Sequence, residues 1–439
     1  MNDSSLPRTI ELHGAVFLVI GYVVGATIFI LPGSLAEQVG PSVYLAYLFA
    51  AIPAVFACFV MALIGSAVPR SGSIYLMIRD VLSPVLGFMY LWLMVSLSAV
   101  VIPLVATGFA DYFSLFGSGI DRTTVALAVV VLVMALNYFG MVIASGLQNI
   151  LVIGFVLALL VFIFGGLVYG EAERLTPMFP KGFSPIVVAA TAAYFSYAGV
   201  FVIAEVAGEI KEPSKNIPRA IFLSFAVIIL LYTLVPMALS SILEWQSLGS
   251  TPVAVVTAAR QVWPDWTANF IFAGALLAAF TSINGILMGL SRDFFMGAQS
   301  GIFPTYFGRV HPRFGTPSRA VFALGALSLA GVAMSGSVVQ YAQIAVMGLM
   351  IVQIITGVAL LKLPSKLPEV YAVSSFKLSP VLLAFVALAY IGFSLLFLLL
   401  LVLEQPGVVI PGVIFLLAGF VLHKFLAYRP GSRALQRHK

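Results

Sequence analysis

The sequence predicts an all-α integral membrane protein of twelve transmembrane helices, and three observations carry that reading. Charged residues make up 9% of the 439 positions while apolar types reach 62%, against roughly a quarter charged in a domain that must face water. Apolar stretches of about 20 residues follow one another along the whole length, each long enough to cross a ~30 Å hydrocarbon core as a helix. The Lys and Arg residues between the stretches alternate between abundant and scarce, as orientation by cytoplasmic positive charge requires. Helices are the economical form because backbone polar groups in lipid must be satisfied within the segment. A transmembrane barrel would instead show ~10-residue alternating segments.

Taken in order, the polar head Met1–Arg8 precedes a first span at 12–36. The head is not a cleavable signal peptide, since the apolar stretch behind it is too long and lacks a cleavage site. A second span, 43–67, encloses the single cysteine, Cys58, so no disulfide framework is expected. Arg70 and Arg79 separate it from 84–112, and Arg122 opens the approach to 123–141. The span 148–169 is followed by Arg174 and Lys181, then 185–208 by Lys211, Lys215 and Arg219 before 220–243. Arg260 precedes 268–290, and Arg292, Arg309, Arg313 and Arg319 lead into 319–336. The spans 341–361, 380–403 and 408–426 complete the set, with Lys362, Lys366 and Lys377 after the first of them and a basic tail running from Lys424 to Lys439. With both termini in the cytoplasm, eighteen of the 22 basic residues lie inside and only Arg122, Arg174, Lys181 and Arg260 outside. That bias supports an even number of crossings. The formal charge of +6 therefore sits between spans and speaks for a lipid bilayer, not for nucleic acid.

Two spans carry small residues where the middle of the membrane would fall. The first reads Gly21-Tyr22-Val23-Val24-Gly25-Ala26-Thr27-Ile28-Phe29, and the sixth Phe195-Ser196-Tyr197-Ala198-Gly199. If spans one to five and six to ten are inverted repeats, the two interruptions correspond, and glycine-broken helices in matching places point to a transporter's binding site. Close helix packing is the ordinary alternative for either segment alone. The chemistry follows from chain direction. The second half of helix one begins near Thr27, so the N–H groups of Ala26, Thr27 and Ile28 would present partial positive charge suited to a carboxylate. The first halves end in unpaired carbonyls near Tyr22 and Val23, and near Tyr194 and Phe195, which suit an ammonium group. A zwitterion is thus matched without a charged side chain, which would be costly at that depth.

At these residues the chain resembles the amino acid–polyamine–organocation family of permeases over nearly its whole length. The first motif stands as Gly21, Gly25, Ala26, Thr27, Ile28, Phe29 and Pro32, with Thr27 where the family usually has glycine. A second runs through Phe195, Tyr197, Gly199, Glu209, Pro213, Lys215, Asn216, Pro218, Arg219, Ala220 and Ile221, and a third through Ser282, Asn284, Gly285, Arg292, Gly301 and Pro304. The resemblance implies a LeuT-type five-plus-five inverted repeat (12–169 and 185–361) with helices one and six broken, peripheral helices at 380–426, and cytoplasmic tails 1–11 and 427–439. It implies secondary transport of an amino acid or related amine by alternating access, as symport or exchange, with Phe195 over the pocket. Phe201 stands where some carriers of cationic substrates have Glu, so neutral substrates are favoured, and Thr27 adds volume that favours small ones. Tyr197 and Gly199 complete the substrate set.

The resemblance leaves the coupling ion open between Na⁺, H⁺ and none. Thr281 and Ser282, with carbonyls of Ala278, Gly21 and Val24, match the ligands of sodium-coupled carriers of this fold. In some relatives a span-five lysine replaces the cation, and the matching position, near Phe155, has none. Glu205, six residues beyond Gly199, is an intramembrane carboxylate that could bind a proton or face a cytoplasmic vestibule. Asp111 is read as a solvated residue near the outer boundary. No organic cofactor is expected. The rival classes are a channel, for which no filter-like repeat or ring of acids is present, and an intramembrane enzyme, for which His13, His311, His423 and His438 are all off mid-span. An amine or polyamine permease is the nearest rival among carriers. The sequence leaves oligomeric state open.

Overall fold

The computed structural model describes residues 6–427 apart from 26, 118, 252, 335–337 and 405; Ala26, the first five residues of the N-terminal tail and all but the first residue of the C-terminal tail lie outside the described residues. The chain is helical from Leu12 onward. The first apolar stretch folds as two pieces, α1 (Leu12–Val24) and α2 (Thr27–Val39), because Gly25 sits at φ +32°, outside helical space. Then follow α3 (Val43–Ala67), the short amphipathic α4 (Ser73–Val81), α5 (Pro84–Phe113), α6 (Arg122–Phe139) and α7 (Met141–Tyr169). Ser83 caps α5 by accepting from the Leu86 N–H, with Pro84 at its first turn, and Asp121 caps α6 through Thr124 N–H.

The sixth stretch is broken more deeply than the first. Helix α8 (Ser184–Phe195) gives way to a 3-10 turn at Ala198–Phe201, a single α turn, α9 (Val202–Glu205), and another 3-10 turn at Ala207–Glu209. Beyond it run α10 (Pro213–Ile242), the short α11 (Trp245–Leu248) and α12 (Ala254–Val262), then α13 (Asp265–Gln299) and α14 (Ser318–Ala333). The order closes with α15 (Val338–Lys366), α16 (Pro368–Val373), α17 (Pro380–Glu404) and α18 (Val409–Ala427).

Among the described residues ten helical segments are long and apolar enough to cross a membrane, and α14 and α18 are apolar but shorter. The expected span edges shift where a helix outruns its hydrophobic stretch. Helix α10 starts at Pro213, not 220, and α13 continues to Gln299, well past the expected end at 290. The second shift matters below, because it brings Arg292 and Asp293 into a buried helix instead of a loop.

Helix α13 is 72% buried over its apolar window, the highest of all, and packs on α1, α5 and α7; α17 is only 28% buried. Leu388, Leu395 and Leu399 of α17, and Ile414 and Leu417 of α18, are exposed, as side chains facing lipid would be. At the end of the bundle where α1 begins, the N–H groups of Thr9 and Ile10 both donate to Glu209 O at 2.9 Å, and Lys211 N–H returns to Ile10 O at 2.8 Å. Next to this latch the Arg292 guanidinium donates to both oxygens of Glu209, at 2.8 and 3.2 Å, with each side chain 1% exposed.

Candidate functional site

The two helix breaks meet face to face. A Cβ on Gly199 would stand 2.2 Å from Tyr22 Cδ1 and 2.9 Å from Val23 Cα, so only glycine lets the sixth stretch lie on the end of α1. A Cβ on Gly25 would stand 1.9 Å from Ser282 Oγ, and its positive φ disfavours any L side chain besides. These glycines therefore serve packing and chain geometry together: close approach is what brings the loose backbone ends to one place.

The carbonyls that end α1 are individually placed. Gly21 O accepts from Thr281 Oγ1 and Ser282 Oγ, both at 3.2 Å, and Tyr22 O accepts from Ser282 Oγ at 3.1 Å. Val23 O accepts from the Tyr232 hydroxyl at 2.6 Å. The same hydroxyl lies 3.1 Å from Ser196 O, 3.4 Å from Val24 O and 3.2 Å from Thr27 Oγ1. Tyr232, on α10, thus touches the broken ends of both stretches. The sequence reading missed it, because a tyrosine in an apolar span has no distinguishing neighbour pattern.

Between the breaks and α5 lies a cavity bounded on the broken side by Tyr22, Val23, Thr27, Phe195, Gly199 and Ser282. Its opposite wall is Met94, Leu97, Val101 and Val105 of α5, with Ile286 of α13 and Leu349 of α15. No Asp, Glu, Lys, Arg or His is among the described lining residues, and Phe201 is one of them. Helix α2 starts anew at Thr27, and the first-turn N–H groups of a helix lack partners within that helix, which makes those of Thr27 and Ile28 the donors nearest the break.

The other site candidates fall in different places. The Ile28 side chain is fully buried. Tyr194 and Tyr197 are buried away from the cavity, their hydroxyls donating to Gln353 Oε1 at 3.0 Å and Tyr47 O at 3.1 Å. Only their backbone lies at the break. Of the sodium-type set, Thr281 Oγ1 also donates to Ala278 O at 2.9 Å, so Gly21, Ala278, Thr281 and Ser282 come together. The Val24 carbonyl instead faces Tyr232 and Thr27. Phe155 is buried next to Gly274; the α7 side chains that reach α1 include Gln148 and Val152, and Gln148 is the one that also bonds α13. Gln148 Nε2 donates to Thr281 O at 3.3 Å and stands 2.3 Å from where a Gly21 Cβ would be. A buried amide chain holds Gln148, Asn137 Nδ2 donating to Asn284 Oδ1 at 2.8 Å and Asn284 Nδ2 to Gln148 Oε1 at 2.9 Å. Three amides in apolar spans were the available signal for that chain. Asp111 is exposed and pairs with Arg122.

Glu205 does not face a vestibule: it is 1% exposed. Its carboxyl faces that of Asp293, which is fully buried and accepts from the Tyr90 hydroxyl at 2.8 Å.

A many-helix membrane protein whose uncharged cavity sits at two helix breaks in mid-span is, as a class, a membrane transporter. The chain belongs to the amino acid permease family: the family model of that description matches residues 10–422. It is similar to the branched-chain amino acid permease BcaP of Bacillus subtilis (strain 168), at 27% identity over 99% of this chain and 96% of that one. It is also similar to the methylthioribose transporter of the same organism, at 27% identity over 84% of each chain. The human cationic amino acid transporter 4 is 26% identical over 74% of this chain and 55% of its own. The protein is a multi-pass membrane transporter and not an enzyme.

Proposed function

We propose that this chain carries small neutral amino acids across the cell membrane by alternating access. In this reading it makes twelve crossings with both termini cytoplasmic. Residues 12–169 and 185–361 form the two inverted repeats, and 380–426 stay at the periphery. The observation that carries the proposal is the meeting of the two breaks at a cavity with no charged residue among its described lining. A substrate carboxylate would take the N–H groups that start α2. An ammonium would share carbonyls at the ends of α1 and α8, each of which can accept a second bond beside Ser282 or Tyr232. The apolar wall from α5 would receive a short aliphatic side chain, and Phe201 in place of an acid disfavours a cationic one. The similarity to a branched-chain amino acid permease supports the same substrate class.

For the coupling ion we propose a proton in preference to sodium. The Val24 carbonyl is engaged by Tyr232 and Thr27, and the Gln148 amide stands beside Gly21, which leaves fewer oxygens free for a cation than the sodium-type set requires. Purified protein in proteoliposomes tests both statements. Uptake of a labelled small neutral amino acid is expected to be competed by its neutral relatives, but not by its methyl ester or its decarboxylated amine, and to proceed without Na⁺. Equal competition by the amine would establish the amine-permease reading instead, and an absolute Na⁺ requirement would restore Thr281 and Ser282 as cation ligands.

A further inference from the structure

Just beyond the cavity, α13 carries a stripe of residues that turns from polar to apolar to acidic. Ser282, Ile286 and Leu290 line the cavity, and Asp293 continues the same face, about 16 Å along the helix from Ser282 at 1.5 Å per residue. Glu205 meets this stripe from the sixth stretch: its Oε2 lies where a Gly289 side chain would begin, 2.0 Å from an ideal Cβ. Gly289 and Asp293 are one helical turn apart, so the two carboxyls share one small compartment.

That compartment lacks what two carboxylates need. Neither Glu205 oxygen has a hydrogen-bond partner, and neither does Asp293 Oδ1. Among the described residues no ion pair reaches them. Arg292 is spent on Glu209, and Arg79 of α4 on Asp80. Helix α3 carries no charged residue, and those of α10 nearest in the chain, Lys215 and Arg219, are exposed. The remaining titratable neighbours are phenols, Tyr22 of α1 and Tyr90 of α5, of which only Tyr90 bonds the pair. Two ionised carboxylates are acceptors only and cannot bond each other; one added proton turns one of them into a donor and satisfies both. Like charges side by side in a low-dielectric interior reinforce that outcome.

The compartment is also closed by a defined piece of chain. The segment Arg70–Ser73, between α3 and α4, lies across it. Gly72 N–H donates to Glu205 O at 2.9 Å, and Ser73 Oγ donates to Ala204 O at 2.6 Å. The ideal Cβ of Gly72, at φ +65°, lies 3.4 Å from Asp293 Oδ1. On the far side of this strap is a polar recess lined by Arg8, Arg70, Ser71 and Gln299.

We propose that Glu205 and Asp293 form a shared-proton site, an acid–carboxylate pair that holds one proton while the Arg70–Ser73 strap is closed and exchanges it with the cytoplasm when the strap withdraws. This rests on the transporter reading and deepens its proton arm: the pair would be the place where the coupled proton leaves. Tyr90 is a positioning residue, keeping Asp293 turned toward Glu205.

Infrared spectroscopy of the purified protein tests the site without relying on transport. At neutral pH the wild type should show one buried protonated-carboxyl band that survives a long wait in D₂O except for its isotope shift. Both Glu205→Gln and Asp293→Asn should lose it, since an amide donor then satisfies the remaining carboxylate. Absence of the band in wild type, or its persistence in both variants, would overturn the proposal. In proteoliposomes, an inward gradient of one pH unit can drive accumulation of up to about tenfold at one proton per substrate. That ratio should fall to about one in either variant; a wild-type ratio retained by both would also overturn it. If wild-type vesicles take up no amino acid at all while the infrared band behaves as stated, the transport reading fails and the proton site stands.

Discussion

At the scale of single residues, function here rests on atoms that are missing as much as on those present. Gly25 and Gly199 admit Ser282 and Tyr22 into space that any Cβ would fill. Gly25→Leu, or even Gly25→Ala, is expected to abolish uptake, because the side chain must displace Ser282 and the left-handed φ costs about 1–2 kcal/mol more. A well-folded Gly25→Ala protein with normal uptake would remove this break from the site. Tyr232 offers a finer probe. Its ring packs on Tyr47 and Tyr197 at centroid distances of 5.3 and 4.9 Å, so Tyr232→Phe keeps the packing and deletes only the hydroxyl shared by Val23 O and Ser196 O. One buried hydrogen bond is worth about 1–1.5 kcal/mol, which translates into roughly a tenfold rise in KM for uptake. An unchanged KM would show that the breaks hold their positions without it.

Among the elements, α13 joins every functional feature: Ser282 at the breaks, Asn284 in the amide chain, Asp293 in the acid pair and Arg292 in the buried ion pair. The Arg292–Glu209 pair ties it to the end of the sixth stretch, beside the latch formed by Thr9 and Ile10. Glu209→Gln leaves a buried guanidinium without its counter-charge, and such losses cost about 3–5 kcal/mol. A clear fall in the melting temperature of the detergent-solubilised protein is the expected result, with much of it recovered in an Arg292→Met, Glu209→Leu double variant. Equal losses in single and double variants would mean that packing, not charge, is what the pair supplies. The helices themselves were largely legible in the sequence, since a run such as 43–67 must be a span for reasons of length and polarity alone. Both breaks were legible through glycine. What was not legible has a common cause. Asp293 and Arg292 follow the last apolar residues of their span, and hydropathy assigns such residues to a loop even when neighbouring helices bury them. Tyr232 and Gln148 matter through contacts more than a hundred residues distant in the chain, which no local pattern encodes. Helices α4 and α12 are short and amphipathic, so they merge into the linkers between spans.

For the molecule as a whole, the number of crossings turns on the two shorter apolar helices, α14 and α18, and α14 sets the orientation of everything after it. At 16 residues it would extend about 24 Å at 1.5 Å per residue, short of a ~30 Å core. Its packing nonetheless sets it against the middle of a longer helix. Ser328 Oγ donates to Ser98 O at 3.0 Å, and Ser98 is at the middle of the 30-residue α5. Gly331 rests against the Ala99 carbonyl, where a Cβ would come within 2.2 Å, and Gly325 lies against Met134 of α6. The twelve-crossing proposal takes this helix, docked by small residues and a hydroxyl against the middle of α5 and against α6, as a crossing helix slightly shorter than the average membrane, a mismatch that local thinning accommodates at small cost. The alternative, in which α14 stays on one surface, inverts everything after it. Single-cysteine labelling separates the two. The native Cys58 is fully buried and gives little background. Glu173→Cys, Arg313→Cys and Lys366→Cys each introduce a thiol at an exposed position. In intact cells a membrane-impermeant maleimide should label Glu173→Cys alone, and the other two only after the membrane is opened. If α14 does not cross, Arg313→Cys remains protected but Lys366→Cys becomes labelled from outside, because α15 is then the single crossing between them. That one result would overturn the twelve-span arrangement and, with it, the pairing of 12–169 with 185–361 as inverted repeats.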